Sequence, residues 1–117
     1  MDVVFSIMKF FMPTERHAEA VQMLQAIQSR LQISTGHLGS WLQERDHPCP
    51  YILYEEQWKS KEAVYAHIRS SLYRRLLAVM EFSSRAPEVS FFFVSHTKGM
   101  ELIEELRLES QAALTVT

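Results

Sequence analysis

The stretch YILYEEQWKSKEAVYAHIRS, residues 51–70, changes from the period of a β-strand to the period of an α-helix. Side chains on a strand alternate between its two faces, so the even-numbered residues before the change share one face. These residues are Ile52, Tyr54, Glu56 and Trp58. Ser60 is a suitable N-cap for the helix, and His67 follows Val64 by three positions on its inward side. We therefore expect a carboxylate, an indole and an imidazole close together at this junction.

The segments before this junction predict two strands and a helix. Val3–Phe11 is rich in Val, Ile and Phe, which is typical of a strand. A helix is expected from Thr14, as its N-cap, to a stop at Gly36, because apolar residues recur between them at helical spacing. Those residues are Ala20, Leu24, Ile27 and Leu31. A second strand, HLGSWLQERD, is expected to form an antiparallel hairpin with YILYEEQW through the turn DHPCP.

The segments after the junction predict a broken helix, a last strand and a closing helix. The helix that starts at Ser60 is expected to break near RSS, residues 69–71, and to continue with one apolar face. That face contains Tyr73, Leu76, Leu77 and Met80. SSRAPE leads into the last strand, VSFFFVSH, and a short helix is expected over GMELIEELRLE. We predict one domain, residues 1–107, and a loose C-terminal tail, residues 108–117.

This order of elements predicts an α+β ferredoxin-like βαββαβ sandwich, with both helices on one face of a four-stranded antiparallel sheet. The other face should be polar if water covers it, but the first and last strands are apolar on both sides. On the first strand the two sides are Val3, Phe5, Ile7 and Val4, Met8, Phe10. We therefore predict a homodimer through the uncovered sheet face. The alternative is a sheet partly covered by the C-terminal helix and tail.

Composition excludes several classes of partner. The chain has 12 Lys and Arg against 14 Asp and Glu, so it has no basic surplus for nucleic acid or for an anionic membrane. The apolar N-terminal stretch contains Asp2 and Lys9 and ends at Pro13, which favours a strand over a signal peptide or membrane span. A single cysteine, Cys49, excludes an intrachain disulfide and is typical of a reducing compartment. We expect a cytoplasmic protein.

Known cofactor and metal motifs are missing from the sequence. There is no HExxH, CxxC, GxSxG or glycine-rich phosphate loop, and the chain has only three glycines. None of the five histidines pairs with another at the i, i+4 spacing of a helical metal site. We expect no metal and no cofactor.

The run YILYEEQWKSKEAVYAHIRSSLYRRL, followed by PEVSFFFVSHTKG, resembles the antibiotic biosynthesis monooxygenase family of dimeric α/β barrels. In that family a strand ending Glu-x-Trp leads through Ser-x-Glu-Ala into a helix with a His and a downstream aromatic. The matching residues here are Glu56, Trp58, Ser60, Glu62, Ala63, His67 and Tyr73. Gly36 before the second strand and Pro87 before the last also fit, so the resemblance covers nearly the whole chain.

The resemblance implies a barrel of two sheets face to face and a pocket between sheet and helices in each chain. Its members include cofactor-independent oxygenases of quinols and polyketide phenols, and heme-degrading enzymes. The heme-degrading members share Trp58 but use an Asn on the first strand, where Ser6 or Ile7 stands here, and this chain has no Asn. We expect a cofactor-independent monooxygenase of a quinol or polycyclic phenol. The alternatives are a non-catalytic dimer that binds a small aromatic or regulates, and a heme-binding protein.

His67 and Glu56 are the candidate catalytic residues. A histidine exchanges protons near neutral pH, and a carboxylate in an apolar pocket can act as a general base. The competing interpretation is structural: a histidine with its hydrogen bonds satisfied, and a glutamate tied to an arginine or a backbone N–H.

Five residues are candidates for substrate binding: Trp58, Tyr54, Tyr65, Tyr73 and Arg74. Trp58 would stack on a flat aromatic substrate, or it is a core aromatic. The tyrosines would donate hydrogen bonds, and Arg74 or Arg69 would hold an anionic oxygen, unless they are surface residues. His37 and His96, near strand ends, are weaker candidates, and His17 is expected to be exposed.

Overall fold

The computed structural model describes residues 3–116, with side chains as far as Gln111. Met1, Asp2 and Thr117, the ends of the predicted domain and tail, lie outside the described residues. The elements are β1 (Val3–Phe11), a 3₁₀ turn (Thr14–Arg16), α1 (His17–Leu31), β2 (His37–Arg45), β3 (Tyr51–Trp58), α2 (Lys61–Arg69), α3 (Tyr73–Met80), β4 (Glu88–Val94) and α4 (Met100–Val116).

The four strands form one antiparallel sheet in the order β2-β3-β1-β4. The two central strands pair so that Val4 lies opposite Trp58 and Ser6 lies opposite Glu56. Helices α1, α2 and α3 pack against one face of the sheet. The predicted α+β ferredoxin-like sandwich is confirmed.

The core lies between the sheet and these helices. The even-numbered residues of β1 and β3 are buried on this face, as the two-residue period predicted. The predicted stripe of α1, namely Ala20, Leu24, Ile27 and Leu31, is also buried against them. The period of the apolar residues therefore identified the inward face of each of these elements.

Helix α2 begins as predicted, and α3 shows one correction. The Ser60 hydroxyl oxygen accepts a hydrogen bond of 3.1 Å from the Ala63 backbone N–H, which caps α2. Helix α2 ends at Arg69, and the next helix, α3, begins at Tyr73. On α3 Val79 is buried and Leu77 is exposed, so the prediction that Leu77 belongs to the apolar face is wrong.

The N-terminal side of α1 corrects two predictions. Thr14 does not cap the helix; it begins a 3₁₀ turn, and α1 starts at His17 without a side-chain cap. His17 is buried rather than exposed. Its Nε2 lies 3.0 Å from the Met12 carbonyl oxygen and its Nδ1 lies 3.2 Å from Glu44 Oε1. A buried imidazole with a partner at each nitrogen ties the end of β1 to β2.

The face of the sheet that carries no helix is partly apolar and open. Register places Phe92 opposite Phe5 on this face and Phe91 opposite Ser6 on the helix face. Trp41 and Phe92 are 48% and 50% exposed there. Glu55 and Gln57 lie between the apolar side chains, so the face is mixed rather than uniformly apolar.

Helix α4 does not cover this open face. All of its described side chains, from Met100 to Gln111, are exposed. The helix continues to Val116, so the prediction of a loose tail after Arg107 is corrected to a helix. Within the described residues, no helix is long and apolar enough to cross a membrane.

Candidate functional site

Glu56 is the centre of a buried polar cluster on the helix face of β3. Its side chain is 1% exposed. The Tyr54 hydroxyl donates to Oε2 at 2.8 Å, and the Trp58 indole N–H donates to Oε1 at 3.0 Å. Because residues 54, 56 and 58 alternate onto the same face of one strand, the sequence itself supplies both donors. Two hydrogen bonds of this kind stabilise a buried carboxylate.

His67 of α2 completes this cluster from the helix layer. Its Nε2 lies 3.0 Å from Oε1 of Glu56. This close contact is not a hydrogen bond, because Nε2 of His67 has no hydrogen-bond partner in the structure. The ring instead stacks on Trp58, with centroids 4.5 Å apart, and meets the edge of Tyr73 at 5.1 Å.

His37 contacts the same tryptophan from β2. Its ring meets Trp58 edge-on, with centroids 5.2 Å apart. A bulge between His37 and Gly39 shifts the hairpin by one residue, so His37 rather than Leu38 lies opposite Trp58. The sequence ranks His37 as a weaker candidate because it lies near a strand end, and the bulge is what places it opposite Trp58.

Burial and the charge of Glu56 set the protonation of the neighbouring side chains. Burial, reinforced by the Glu56 carboxylate, raises the pKa of Tyr54 well above its usual range and raises the pKa of Tyr73 to about 12. Burial lowers the pKa of His37, although the charge of Glu56 opposes this shift. At pH 7 both tyrosines are therefore neutral hydrogen-bond donors, and neither is a base.

A cavity of about 260 Å³ opens on the outer side of this cluster. Trp58 and His67 form part of its wall, and the rest comes from the turn before β2, from α2 and from the α2–α3 link. These other residues are Ser34, Thr35, Ala63, Ala66, Ser70, Ser71 and Leu72. Glu56 is not in the wall. The three predicted residues therefore form one cluster, in which the largely buried Trp58 and His67 border the cavity and Glu56 does not.

Gly36 holds the turn that closes one side of this cavity. It has φ +83°, and a Cβ added there would lie 2.6 Å from the Ala63 Cβ. Its carbonyl oxygen accepts from the Lys59 backbone N–H at 2.9 Å. Only glycine fits both this backbone conformation and this approach. The sequence predicted Gly36 as a helix stop, whereas α1 already ends at Leu31 and Gly36 joins the turn to α2.

Several predicted residues lie away from the cluster. Tyr65 is exposed on α2 and contacts Phe93, with ring centroids 6.4 Å apart. Arg74 is exposed on α3. Arg69, at the end of α2, and His96, after β4, are exposed as well. Tyr54 and Tyr73, in contrast, are part of the cluster. Tyr54, Trp58 and His67, rather than an arginine, contact the carboxylate.

Two further observations bear on cofactors. Among the side chains that the structure describes, no three His, Cys, Asp or Glu residues converge as metal ligands would. Ser6 rather than Ile7 faces the cluster, because it is buried opposite Glu56 while Ile7 points to the open face. A serine hydroxyl, not an amide, thus occupies the first-strand position next to the carboxylate.

Comparison with known proteins gives matches at the level of structure. No family model matches the sequence, and no curated protein matches it. A conserved protein from Methanosarcina mazei superposes with a TM-score of 0.72 at 14% identity, covering 81% of this chain and 95% of that one. Rv0793 from Mycobacterium tuberculosis superposes with a TM-score of 0.70 at 18% identity, covering 83% and 99%.

A third similar structure has a named chemistry. It is a variant of SnoaB, a cofactor-independent oxygenase from Streptomyces nogalater, with a TM-score of 0.66 at 18% identity. The match covers 83% of this chain and 97% of SnoaB. Another similar structure is named an antibiotic biosynthesis monooxygenase, with a TM-score of 0.64 at 13% identity. The chain therefore has the ferredoxin-like fold of the antibiotic biosynthesis monooxygenases.

Proposed function

We propose that the protein is a cofactor-independent monooxygenase that oxidises a quinol or polycyclic phenol with O₂ in the cavity beside Trp58 and His67. The observation that carries the proposal is the arrangement at the cavity wall, where an imidazole is stacked on an indole with a buried carboxylate 3.0 Å behind it. The likeness to SnoaB supports the same class of reaction.

Each residue of the cluster has a chemical role in this proposal. His67 accepts the phenolic proton, through Nδ1, because Nε2 faces Glu56. Glu56 stabilises the imidazolium that results and fixes the ring orientation, as a carboxylate behind a catalytic histidine does. Trp58 supplies the aromatic wall, and its N–H keeps Glu56 in place. Glu56 is thus a positioning residue, and His67 is the catalytic base.

The substrate supplies the electrons. The deprotonated phenol passes an electron to O₂, and recombination of the two radicals forms a carbon–oxygen bond to a peroxide. Loss of water breaks the O–O bond, so one oxygen atom stays on the ring as a quinone carbonyl and the other leaves as water. Both hydrogens of this water come from the substrate. The oxidation of the substrate to the quinone supplies the four electrons that O₂ takes up. The protein contributes orientation and removal of water from the reacting atoms.

The cavity size favours small substrates within this class. Pockets that enclose drug-sized ligands usually measure about 300–1,000 Å³. The cavity here is about 260 Å³. A phenol of one or two rings is therefore a better fit than a tetracyclic polyketide.

One observation favours a second candidate function, a non-catalytic module that binds a small aromatic. The space around Glu56 is filled by Tyr54, Trp58, His67 and Tyr73, and both carboxylate oxygens accept hydrogen bonds. A closed polar cluster of this kind also rigidifies a core without any chemistry. In this candidate the ligand binds against Trp58 and His67 and is released unchanged.

Both candidate functions are compatible with self-association. We propose a homodimer that packs the open sheet face of one protomer against that of another, because Trp41 and Phe92 would otherwise remain half exposed. The single cysteine is consistent with a cytoplasmic location.

Oxygen uptake distinguishes the two candidates. Protein freed of metal and flavin is tested with an oxygen electrode against hydroquinones, naphthols and anthrones. The monooxygenase predicts uptake of one O₂ per quinone formed with at least one of these compounds. Binding of a naphthol, seen as quenching of tryptophan fluorescence, without any oxygen uptake across the panel would support the binding module instead.

A further inference from the structure

Helix α4 has an apolar stripe that its own domain leaves uncovered. Leu102, Ile103 and Leu106 recur at helical spacing and are exposed. Glu105 and Glu109 follow one edge of this stripe at the i, i+4 spacing. Over residues 100–111 the helix carries four glutamates and one arginine, so it is acidic.

This helix projects from the domain. The radius of gyration is 18.9 Å, whereas about 13 Å is expected for a compact chain of this length. The longest dimension is 61 Å against a shortest of 21 Å. At the start of α4 the Gly99 backbone N–H donates to Glu101 Oε1 at 2.8 Å, which caps the helix locally. Because all described side chains of α4 are exposed and the chain is extended, the helix is available to a second molecule.

A matching surface lies between α2 and the edge strand β4. Tyr65 of α2 packs edge-on against Phe93 of β4. Ile68 lies one turn after Tyr65 on α2, and Val89 is on the same face of β4 as Phe93. All four side chains are exposed. We call these residues the α2–β4 surface. It lies on the helix face of the sheet, so it is separate from the open face proposed for the dimer.

The α2–β4 surface has the opposite charge to α4. Lys61 and Arg69 lie four residues before and after Tyr65, on the same side of α2. Among the described residues, neither forms an ion pair. Across residues 59–81 five Lys and Arg face two Glu, all exposed. The apolar stripe and the charges are therefore complementary between the two surfaces.

We propose that α4 of one protomer docks on the α2–β4 surface of a second copy of this chain. Leu102, Ile103 and Leu106 cover Tyr65 and its apolar neighbours, while Glu105 and Glu109 meet the two cations. The contact goes beyond the proposed function, because it uses neither the cavity nor the open sheet face. It would join two chains by exchange of their C-terminal helices.

Charge reversal tests the contact. The α4 variant carries Glu105→Lys and Glu109→Lys. The α2–β4 surface variant carries Lys61→Glu and Arg69→Glu. Each alone should weaken self-association by about tenfold or more, measured by analytical ultracentrifugation at low salt. Glu104→Lys, on the opposite side of α4, is the matched control and should leave the dissociation constant unchanged.

Mixing the two variants tests whether the contact is between chains. In a mixed dimer one contact is wild type and the other has both charges reversed, so an equimolar mixture should recover the affinity lost by each variant. Hydrogen exchange of residues 100–111 should show protection that rises with protein concentration and returns in the mixture. Protection that is independent of concentration and is not restored by mixing would place α4 on its own chain and overturn the proposal. Absence of protection at any concentration would overturn it as well.

Discussion

Replacing Glu56 by glutamine tests how the buried cluster works. The substitution keeps the shape of the side chain and removes its charge. The carboxylate accepts from Tyr54 at 2.8 Å and from Trp58 at 3.0 Å, and it lies 3.0 Å from His67 Nε2. The glutamine oxygen can accept from Trp58, and its NH₂ can donate to the Tyr54 hydroxyl oxygen, so both contacts persist as neutral hydrogen bonds.

The expected magnitude follows from these contacts. A hydrogen bond to a charged group contributes about 1.5–3 kcal/mol, and a neutral one about 0.5–1.5 kcal/mol. Two weakened bonds therefore reduce the free energy of unfolding by about 1–3 kcal/mol. With an unfolding entropy of about 2.1 cal/mol/K per residue, this lowers Tm by roughly 4–12 °C for a domain of this length. Turnover should fall much further, by about 10²–10⁴, if His67 depends on the carboxylate.

The assay compares two measurements on the same preparation. Thermal unfolding gives the change in Tm, and oxygen uptake at 25 °C, where the variant remains folded, gives the change in kcat. Glu62→Gln, an exposed glutamate on α2, is the matched control and should change neither quantity. A Glu56→Gln protein with the expected loss of Tm and the wild-type kcat would refute the role of Glu56 in positioning the base.

Four other predictions follow from the fold and the cluster. Phe92→Asp on the open sheet face should weaken self-association and lower the mean mass in light scattering, and an unchanged mass would contradict the sheet-face interface. The raised pKa of Tyr73 means that the folded state favours the neutral phenol, so stability should be intact below pH 10 and fall as pH rises toward about 12. Tyr73→Phe should make that fall less steep in a plot of Tm against pH, and the remaining fall comes from Tyr54, whose pKa is also raised. The lowered pKa of His37 means that the unfolded chain binds more protons, so stability should fall as pH drops below 6.5, and His37→Gln should remove that slope. Gly36→Ala should lower the free energy of unfolding by about 1–3 kcal/mol in urea titrations, because φ is +83° and the new Cβ approaches α2; a loss below this range would contradict the close approach.

Hydrophobic period predicted most of the fold because it reports directly on burial. The even-numbered side chains of β3 and the stripe of α1 are buried where alternation and helical spacing place them. Helical spacing gave the wrong prediction for Leu77, the residue after the buried Leu76. Val79, not Leu77, is buried on the inward face of α3. A short helix leaves more than one apolar face compatible with its sequence, and packing decides between them.

The site was less predictable because it depends on contacts between distant segments. That Glu56 and His67 face each other follows from the strand and helix periods. The place of His37 depends on a bulge, and the burial of His17 depends on a contact with Glu44 that is distant in the sequence. The cavity wall includes Ser34 and Thr35, whose only signal is their position in the turn before Gly36. Polar residues in turns carry no period that would assign them to a site.

The most direct test of the proposed chemistry is oxygen uptake by His67→Ala beside the wild type, with the naphthol or hydroquinone that the wild type oxidises fastest. Metal-free and flavin-free protein is used for both, and binding is followed separately by tryptophan fluorescence. We expect kcat to fall by about 10²–10⁴ in the variant while the substrate is still bound. Equal oxygen uptake by the two proteins would show that His67 is not the base and that the reaction, if catalysed, takes place elsewhere.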